Sequence, residues 1–409
     1  MQLYILNPNY DFVGMIDQTE STLWNKKYND DGYCEIYVPC DMDMIELLRK
    51  GNYVYRYDDE MFCKIEGLEI DTDAENGDYI ISTANDIAKI ILSGRIVRWQ
   101  IVYKGTVFGF LQKAITDNII NPAQSQRKIS NFVFDTSNAA EFTETIEVST
   151  FAEDLHSLVK NTCKTYNYGY RISYTPETQS LVFRLFKGVN RADPTQDGYV
   201  EFSPAFSNIL ASKYKEDDSN YKNVAYVGYK AADETVHLLS LYNGDTEPTG
   251  EDRKEVFADG SNTSRDITLD ELRLLFPSVR KVSSTVTTDG KTQIEAVYYS
   301  GDTEVATSVQ EVKEGEETEE KITVTDYTYL LLIRALGDNT LAGHKKTQTF
   351  GGEVDTTDTY IIKQDYDIGD IVKVKDRYGN EADARIVEIM ESEDNEDGRV
   401  VEPIFEYST

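Results

Sequence analysis

The sequence has few of the residues that most often build metal and redox sites. Among its 409 residues are four cysteines, Cys34, Cys40, Cys63 and Cys163, with no CxxC spacing and no neighbouring pair of histidines. This pattern indicates neither a zinc site nor a disulfide framework, so we expect reduced and mostly buried thiols.

Histidine is scarcer still. The chain has three, His156, His237 and His344, which are far apart in sequence; the fold could gather them, but nothing in the sequence proposes it. Motifs of the GxSxG, HExxH, Walker and GxGxxG types are absent, and a glycosidase pair of carboxylates cannot be recognised among 73 acidic residues. We therefore assign no catalytic residue, no metal ligand and no cofactor-binding residue.

Long apolar runs are also missing. The run "LLLI" within "TYLLLIRAL" is far shorter than the roughly 20 residues that a membrane-spanning helix needs. The N-terminal sequence "MQLYILNPNY" has no basic lead-in and no apolar run of signal-peptide length. We expect a soluble protein without membrane insertion, made in the cytoplasm without a cleaved leader.

Positive charge is in short supply. The chain has 41 basic and 73 acidic residues and a formal net charge of −32 at pH 7. Because affinity for nucleic acid depends on lysine and arginine displacing counterions, the sequence predicts no specific nucleic-acid binding. We interpret Arg127 and Lys128, in "QSQRKIS", as local salt-bridge partners and not as a phosphate site.

Patterns typical of β-strands dominate what is present. Short stretches rich in tyrosine, valine and isoleucine are bounded by turn-forming residues: "YCEIYVP", "NYVYRY", "YGYRISY", "LVFRLF", "NVAYVGY" and "IEAVYYS". Their spacing favours antiparallel barrels or sandwiches and does not suggest a parallel βαβ sheet.

Patterns typical of helices lie between the predicted strands. Thr150 with Glu153 and Thr268 with Glu271 both have the spacing of a capping box, and Pro277 should stop the second helix. The predicted helices are "MDMIELLRKG", "ANDIAKIILSG", "TVFGFLQKAITDNIINP", "TFAEDLHSLVKNT", "TLDELRLLFP" and "TDYTYLLLIRALGDNTLAG". We expect their apolar faces to pack on the sheets.

Two acidic runs have the composition of solvated loops. One is "EVKEGEETEE" at 311–320, and the other is "ESEDNED" at 391–397, with five carboxylates in seven residues. The first run ends a polar region, 237–320, which we interpret as an insertion between better-patterned segments.

The stretch "DYDIGDIVKVKDRYGN" begins with three carboxylates, Asp365, Asp367 and Asp370. The stretch does not match a calcium-binding EF-hand loop. Such a loop needs an oxygen ligand at its fifth position and glycine at its sixth, and here these positions are Gly369 and Asp370. The alternation in "IVKVKD" and the turn-forming "RYGN" favour a β-hairpin over a metal site. The sequence "NDDG" at 29–32 is interpreted in the same way.

The order of several ordinary segments is more informative than any one of them. The segment ending in "ANDIAKIILSGRIV" has Leu92, Arg95, Ile96 and Val97 in an L-x-x-R-I-V pattern. It follows "GYCEIYVPCDMDMIELLRKGNYV" and "FCKIEGLEI", and precedes "NPAQSQRKI", "NVAYVGY", "RKEVFADG", "TFGGEV" and "DYDIGDIVKVKDRYGNEADARIVEI". This order resembles the hub proteins at the tail tip of long-tailed phages, also called tail-associated or Tal-type proteins.

The resemblance implies a mainly β structural protein with an α+β insertion. Relatives form a ring, a homotrimer in which two antiparallel β-barrel domains per chain give a pseudo-sixfold collar under the tail tube. Transferred to this sequence, the first barrel is 1–104, the inserted α+β domain 105–205, the second barrel 206–236 plus 321–409, and the polar insertion 237–320.

The resemblance also implies how such a protein acts. Expected partners are the distal tail protein, the tape measure protein and tip or fibre proteins, in the tail tip of a virion or prophage particle through which DNA only passes. It implies no enzyme activity and no cofactor, and because the chain stops at Thr409 we expect any cell-wall hydrolysis on another protein. The alternatives are a cell-wall-active hydrolase of the tail tip, or a surface carbohydrate-binding β-protein, disfavoured by the missing export signal.

Overall fold

The computed structural model of the protein describes residues 1–73, 77–98, 100–206, 208–288, 291–311, 321–354, 360–378, 381–394 and 398–407. Strands predominate in these residues and short helices lie between them, so the prediction of a mainly β fold is confirmed. None of the helices in the described part of the chain combines the length and the apolar character that crossing a bilayer requires.

The N-terminal segment forms an antiparallel sheet in the order β3-β4-β7-β6-β5-β1-β2. Its elements are β1 (Leu3–Leu6), β2 (Phe12–Ile16), β3 (Ser21–Lys27), β4 (Tyr33–Pro39), α1 (Met42–Leu47), β5 (Tyr53–Tyr55), β6 (Phe62–Asp73) and β7 (Gly77–Asp86). In β4, Cys34, Ile36 and Val38 alternate inward, as the period of two in "YCEIYVP" predicts. Every strand contributes to one hydrophobic core around Trp24.

A second unit follows, with a core rich in phenylalanine. Its elements are α2 (Ile87–Ser93), β8 (Gln100–Thr106), α3 (Val107–Ile115), a π-helix (Thr116–Ile120), β9 (Phe132–Phe134), β10 (Thr145–Phe151), α4 (Leu155–Tyr166), β11 (Gly169–Thr175) and β12 (Ser180–Phe186). Strand β8 pairs with β10, β11 pairs with β12, and β9 runs parallel to β12. The side chains of Phe108, Phe134, Phe142 and Phe183 pack together between these elements.

The predicted start of α4 at Thr150 is wrong. Thr150 belongs to β10, where it pairs with Ile101 of β8, and this ladder keeps its backbone extended. The helix begins at Leu155 instead, after Asp154, whose carboxylate accepts a hydrogen bond from the Ser157 backbone N–H at 2.8 Å. The Thr150 hydroxyl still donates to Glu153, at 2.8 Å, but this pair precedes the helix.

The region interpreted as a polar insertion contains regular structure. The chain continues through β13 (Glu201–Phe202), β14 (Ile209–Asp217), β15 (Val224–Lys230), β16 (Val236–Tyr242), β17 (Glu255–Asp259), β18 (Asp266–Ile267), α5 (Leu269–Leu275), β19 (Arg280–Thr288), β20 (Lys291–Ser300), β21 (Thr303–Glu311), β22 (Lys321–Val324) and α6 (Asp326–Ala342). Strands β16-β15-β17 form one sheet and β18-β22-β21-β20-β19 another. Val227, Leu272, Tyr298 and Leu332 share one hydrophobic core between these sheets and the helices α5 and α6.

The capping box predicted at the start of α5 is confirmed. The Thr268 hydroxyl accepts from the Glu271 backbone N–H at 3.2 Å, and the Glu271 carboxylate accepts from the Thr268 backbone N–H at 2.8 Å. Both bonds satisfy donors that a helix start leaves unpaired. The helix ends at Leu275, two residues before Pro277.

The last strands join the first segment in one large sheet. They are β23 (Thr347–Val354), β24 (Ile371–Lys375), β25 (Glu381–Asp394) and β26 (Gly398–Tyr407). The path runs β14-β23-β26-β25-β3-β4-β7-β6-β5-β1-β2, with β24 and β13 branching from β25, which makes 13 strands. This path has two ends, so within the described residues the sheet is not closed into a barrel.

The predicted β-hairpin in the acidic stretch is confirmed. Strand β24 pairs antiparallel with β25, from Ile371 opposite Arg385 to Lys375 opposite Glu381. The side chains of β24 alternate between half-buried and buried, as the alternation in "IVKVK" predicts. Gly369, in the turn before β24, has φ of +91°, a conformation that suits glycine. Residues 379–380 of the hairpin turn lie outside the described residues.

Candidate functional site

A cluster of buried charges lies where β3 of the N-terminal segment pairs with β25 of the C-terminal segment. Lys26 on β3 is 2% exposed and its Nζ atom lies 3.0 Å from Asp59 Oδ2, 3.5 Å from Asp367 Oδ1 and 3.8 Å from Glu391 Oε1. The side chains of Asp59 and Glu391 are 1% and 0% exposed. Charges buried this deeply need partners, and here the partners come from both ends of the chain.

Further cations complete the cluster. Arg56 Nη1 lies 3.2 Å from Glu391 Oε2, and its other nitrogens donate to Asp58 at 2.5 and 2.8 Å. Arg399, on β26, reaches the same Glu391 oxygen at 2.5 Å. Lys363 Nζ lies 2.9 Å from Asp59 Oδ2. We call this set the junction cluster: Lys26, Arg56, Asp58, Asp59, Lys363, Asp367, Glu391 and Arg399.

The electrostatics of the junction cluster favour the charged forms. Burial by itself would raise the pKa of Asp59, but Lys26, Arg171 and Lys363 outweigh it and hold that pKa well below its usual range. Burial would likewise lower the pKa of Lys26, but Asp59 and its other carboxylate neighbours raise it. Both groups therefore stay ionised at neutral pH, as mutually stabilised ions inside the fold.

The prediction that 391–397 is a solvated loop is wrong for its first four residues. Residues 391–394 belong to β25, and Glu391 is fully buried; 395–397 lie outside the described residues, as do 312–320 of the other acidic run. Glu391 follows the buried Ile389 by two residues, which places both side chains on the same face of the strand. This period of two is the signal in the sequence that the acidic composition obscured.

The three carboxylates that open the acidic stretch have separate partners. Asp365 accepts from the Ile361 backbone N–H at 2.8 Å, and Asp367 belongs to the junction cluster. Asp370 is buried and accepts from the Val189 backbone N–H and from Arg191 Nε, both at 2.7 Å. It thereby ties the segment after β12 to the start of β24.

We expect calcium to leave the stability of the protein unchanged. An ion stabilises a fold only by binding the folded state more tightly than the unfolded one, and these three carboxylates are engaged elsewhere. Thermal unfolding curves in millimolar calcium chloride and in excess chelator should coincide. A rise of several degrees with calcium that Asp367→Ala abolishes would contradict the hairpin interpretation.

The "NDDG" turn between β3 and β4 contacts the helix α4. Asp31 Oδ1 lies 2.8 Å from His156 Nε2 and accepts from the Tyr170 hydroxyl at 3.2 Å. Asp30 pairs with Lys160 and Lys164; burial opposes ionisation, but these lysines lower the pKa of Asp30 to about 2. The turn therefore links the N-terminal sheet to the second unit.

The cysteines and the other two histidines do not group with further ligand-type side chains in the described residues. Cys34, Cys63 and Cys163 are buried, as predicted, Cys40 is half-buried, and the four thiols are free. Burial raises the pKa of the first three. The other two histidines form hydrogen bonds with residues close to them in sequence. His237 bonds to the Thr235 hydroxyl and His344 to the Thr340 carbonyl. In the described part of the chain, no group of three or more His, Cys, Asp and Glu side chains could hold an ion.

The salt bridge predicted for Arg127 is not among the ion pairs of the described residues. Its guanidinium donates instead to the Ile96 carbonyl at 2.6 Å and to Asn118 Oδ1 at 3.0 Å. Lys128 is exposed.

Solved structures that a structural comparison finds to be similar to this chain include three tail proteins. The tail protein from Neisseria meningitidis MC58 has 11% identity and a TM-score of 0.48, over 99% of this chain and 96% of that one. The prophage MuSo2 43 kDa tail protein from Shewanella oneidensis has 10% identity and a TM-score of 0.49, over 99% and 98%. Prophage tail protein gp18 from Listeria monocytogenes EGD-e has 12% identity and a TM-score of 0.46, over 100% and 95%.

Comparison with protein families gives the identification. No curated protein matches the sequence. The model of one family, described as Siphovirus ReqiPepy6 Gp37-like protein, matches residues 2–405. The chain therefore belongs to the Siphovirus ReqiPepy6 Gp37-like family, a family of siphovirus tail proteins.

Proposed function

We propose that this protein is the structural hub of a phage or prophage tail tip. Three chains form a ring beneath the tail tube and join the tube to tip or fibre proteins. The observation that carries the proposal is the family match, which spans residues 2–405. A match of this length supports a role for the whole chain in the tail.

The domain organisation follows from the same proposal. A pseudo-sixfold ring of three chains needs two barrel-type domains from each, and we assign them to the N-terminal sheet within 1–104 and to the C-terminal strands of 206–236 and 321–409. Residues 105–205 are the inserted α+β domain and 237–320 the insertion. Because β15 and α6 pack with that insertion, the second barrel-type domain consists mainly of β14 and β23 to β26.

The junction cluster supports a role as a rigid connector. It fixes the two barrel-type domains to each other, since β25 pairs with β3 over seven residue pairs and buried ion pairs cross the same boundary. A hub acts by assembly and not by catalysis, with the distal tail protein and the tape measure protein as its neighbours. The net charge of −32 suits a ring through which DNA passes without being held.

The hub proposal is tested by locating the chain in the particle. In cryo-electron microscopy of particles that carry this protein, we expect three copies in a ring on the tail axis, directly beneath the tube. Copies found only in side fibres or the capsid would contradict the proposal. Hydrolysis of cell-wall material by the purified chain would favour the hydrolase alternative instead.

A further inference from the structure

Three arginines meet on the surface of the second unit. Arg95 and Arg98 lie just after α2, and Arg127 lies in the short 3₁₀ turn that follows the π-helix. Together with Ile96, Phe151 and their neighbours they line a cavity of about 470 Å³. None of the three takes part in an ion pair within the described residues. We call this place the arginine cluster.

Such a cluster is unusual in this chain. Most other arginines have a carboxylate within ion-pair distance: Arg49, Arg56, Arg171, Arg184, Arg191, Arg253, Arg265, Arg273, Arg334 and Arg399. With 73 acidic residues against 41 basic ones, a carboxylate partner is the expected surrounding for any cation. Arg95, Arg98 and Arg127 depart from this pattern, because the ion pairs of the described residues include none of them.

Two nitrogens of the cluster are buried without an acceptor. Arg95 Nε and Arg98 Nη1 are out of contact with solvent and have no hydrogen-bond partner among the described residues. A buried donor without an acceptor is costly, and more so when it is charged. Burial and the neighbouring charges of Arg95 and Arg98 also lower the pKa of Arg127, as expected for cations that no anion compensates.

The protein itself positions the arginine cluster, through the buried side chain of Asn118. Asn118, in the π-helix, is buried; its Oδ1 atom accepts from the Arg98 backbone N–H and from Arg127 Nη2, both at 3.0 Å. Its Nδ2 atom donates to the Ala114 carbonyl at 2.8 Å. Short π-helical turns inside α-helices occur frequently at functional sites. The guanidinium of Arg127 is therefore positioned in advance, as a binding site requires.

The rim of the cavity is apolar. Ile96 is 59% exposed and Phe151 is 36% exposed. Beside Phe151, Ala152 has φ of +50°, a backbone conformation that is strained for a residue other than glycine. A ligand that fits this surface combines an anionic group for the arginines with an apolar group for the rim.

We propose that the arginine cluster is a docking site for an acidic segment of another protein chain. A carboxylate of that segment lies in the cavity and compensates the positive charge of the three guanidinium groups, and an adjacent apolar side chain packs against Ile96. Free phosphate would leave the apolar rim uncovered. A nucleic-acid strand would bring a charge with every nucleotide towards a chain with 32 excess negative charges. The inference goes beyond the proposed hub function and does not depend on it.

The test is isothermal titration calorimetry of the full-length chain with the peptide acetyl-Glu-Leu-Glu-Leu-amide. We expect the peptide acetyl-Gln-Leu-Gln-Leu-amide to bind at least about tenfold more weakly, because it cannot form charge-assisted hydrogen bonds. The variant Arg98→Gln should lose a similar factor for the glutamate peptide. Arg273→Gln, which removes an exposed arginine on α5, is the matched control and should bind like the wild type.

A second variant tests the apolar rim. Ile96→Ser should weaken the binding of the leucine-containing peptide but not that of acetyl-Glu-Gly-Glu-Gly-amide. Circular dichroism establishes that each variant is folded. The proposal is overturned if acetyl-Glu-Leu-Glu-Leu-amide does not bind at millimolar concentration, or if acetyl-Gln-Leu-Gln-Leu-amide binds equally tightly. It is also overturned if inorganic phosphate, or a short single-stranded DNA, binds as tightly as the glutamate peptide and loses that binding in Arg98→Gln.

Discussion

Replacing Lys26 by methionine should lower the free energy of unfolding by about 3 kcal/mol. The variant keeps most of the side-chain volume but leaves Asp59 and Glu391 in the interior without their shared cation. Breaking a buried ion pair typically costs about 3 to 5 kcal/mol, and we expect the lower end because Lys363 still pairs with Asp59. Urea unfolding at pH 7 measures the change.

The neighbouring lysine provides the control. Lys27 is 29% exposed and lies 4.0 Å from Glu388, so Lys27→Met should cost less than about 1 kcal/mol. Adding Asp59→Asn to Lys26→Met should recover part of the loss, since it removes one uncompensated charge. Equal stability of Lys26→Met and Lys27→Met would show that the junction cluster does not hold the two segments together.

The variant Asp86→Asn should become progressively more stable than the wild type as the pH rises from 4 to 8. Asp86 is buried between β7 and α2, and burial, with Asp31 nearby, raises its pKa to about 7. A carboxyl whose pKa is raised in the folded state stabilises the fold below its unfolded pKa, about 3.9, and that contribution is lost as the pH rises through 7. The difference between the folded and unfolded pKa of Asp86 corresponds to about 4 kcal/mol in the free energy of unfolding.

The geometry favours this substitution. Asp86 caps α2 by accepting from the Ala88 backbone N–H at 2.8 Å, and an asparagine oxygen can accept the same bond without carrying charge. Urea unfolding at pH 4, 6 and 8 measures the difference between variant and wild type. A difference that stays constant with pH would show that Asp86 titrates in the folded state as it does in the unfolded one.

Asp135→Asn is the control of opposite sign. The backbone N–H of Ser137 and the guanidinium of Arg184 hold the pKa of Asp135 below its usual value. A carboxyl with a lowered pKa stabilises the fold above its unfolded pKa, and this contribution is lost as the pH falls. Asp135→Asn should therefore be less stable than the wild type by a constant amount at pH 6 and 8, and this difference should shrink as the pH falls below about 4.

The sequence by itself determined the elements whose signals are local. The alternation in "YCEIYVP" and "IVKVK" predicts β4 and β24, because a period of two is a property of the extended chain. The capping box of Thr268 and Glu271 predicts the start of α5, because both partners lie within one helical turn. The resemblance to tail hubs was also visible in the sequence, because it depends on the order of segments along the chain and not on how they pack.

The tertiary structure decided which elements meet. No local pattern pairs β3 with β25, more than 350 residues apart, so nothing in the sequence marked Lys26 as buried, and the acidic run that begins at Glu391 was interpreted as a solvated loop. The helix α4 begins at Leu155 and not after Thr150 as predicted, because Thr150 pairs with β8 as a strand residue. Burial of a charge depends on the partners that the whole fold brings to it, and those partners are set by packing between distant segments and not by the neighbouring sequence.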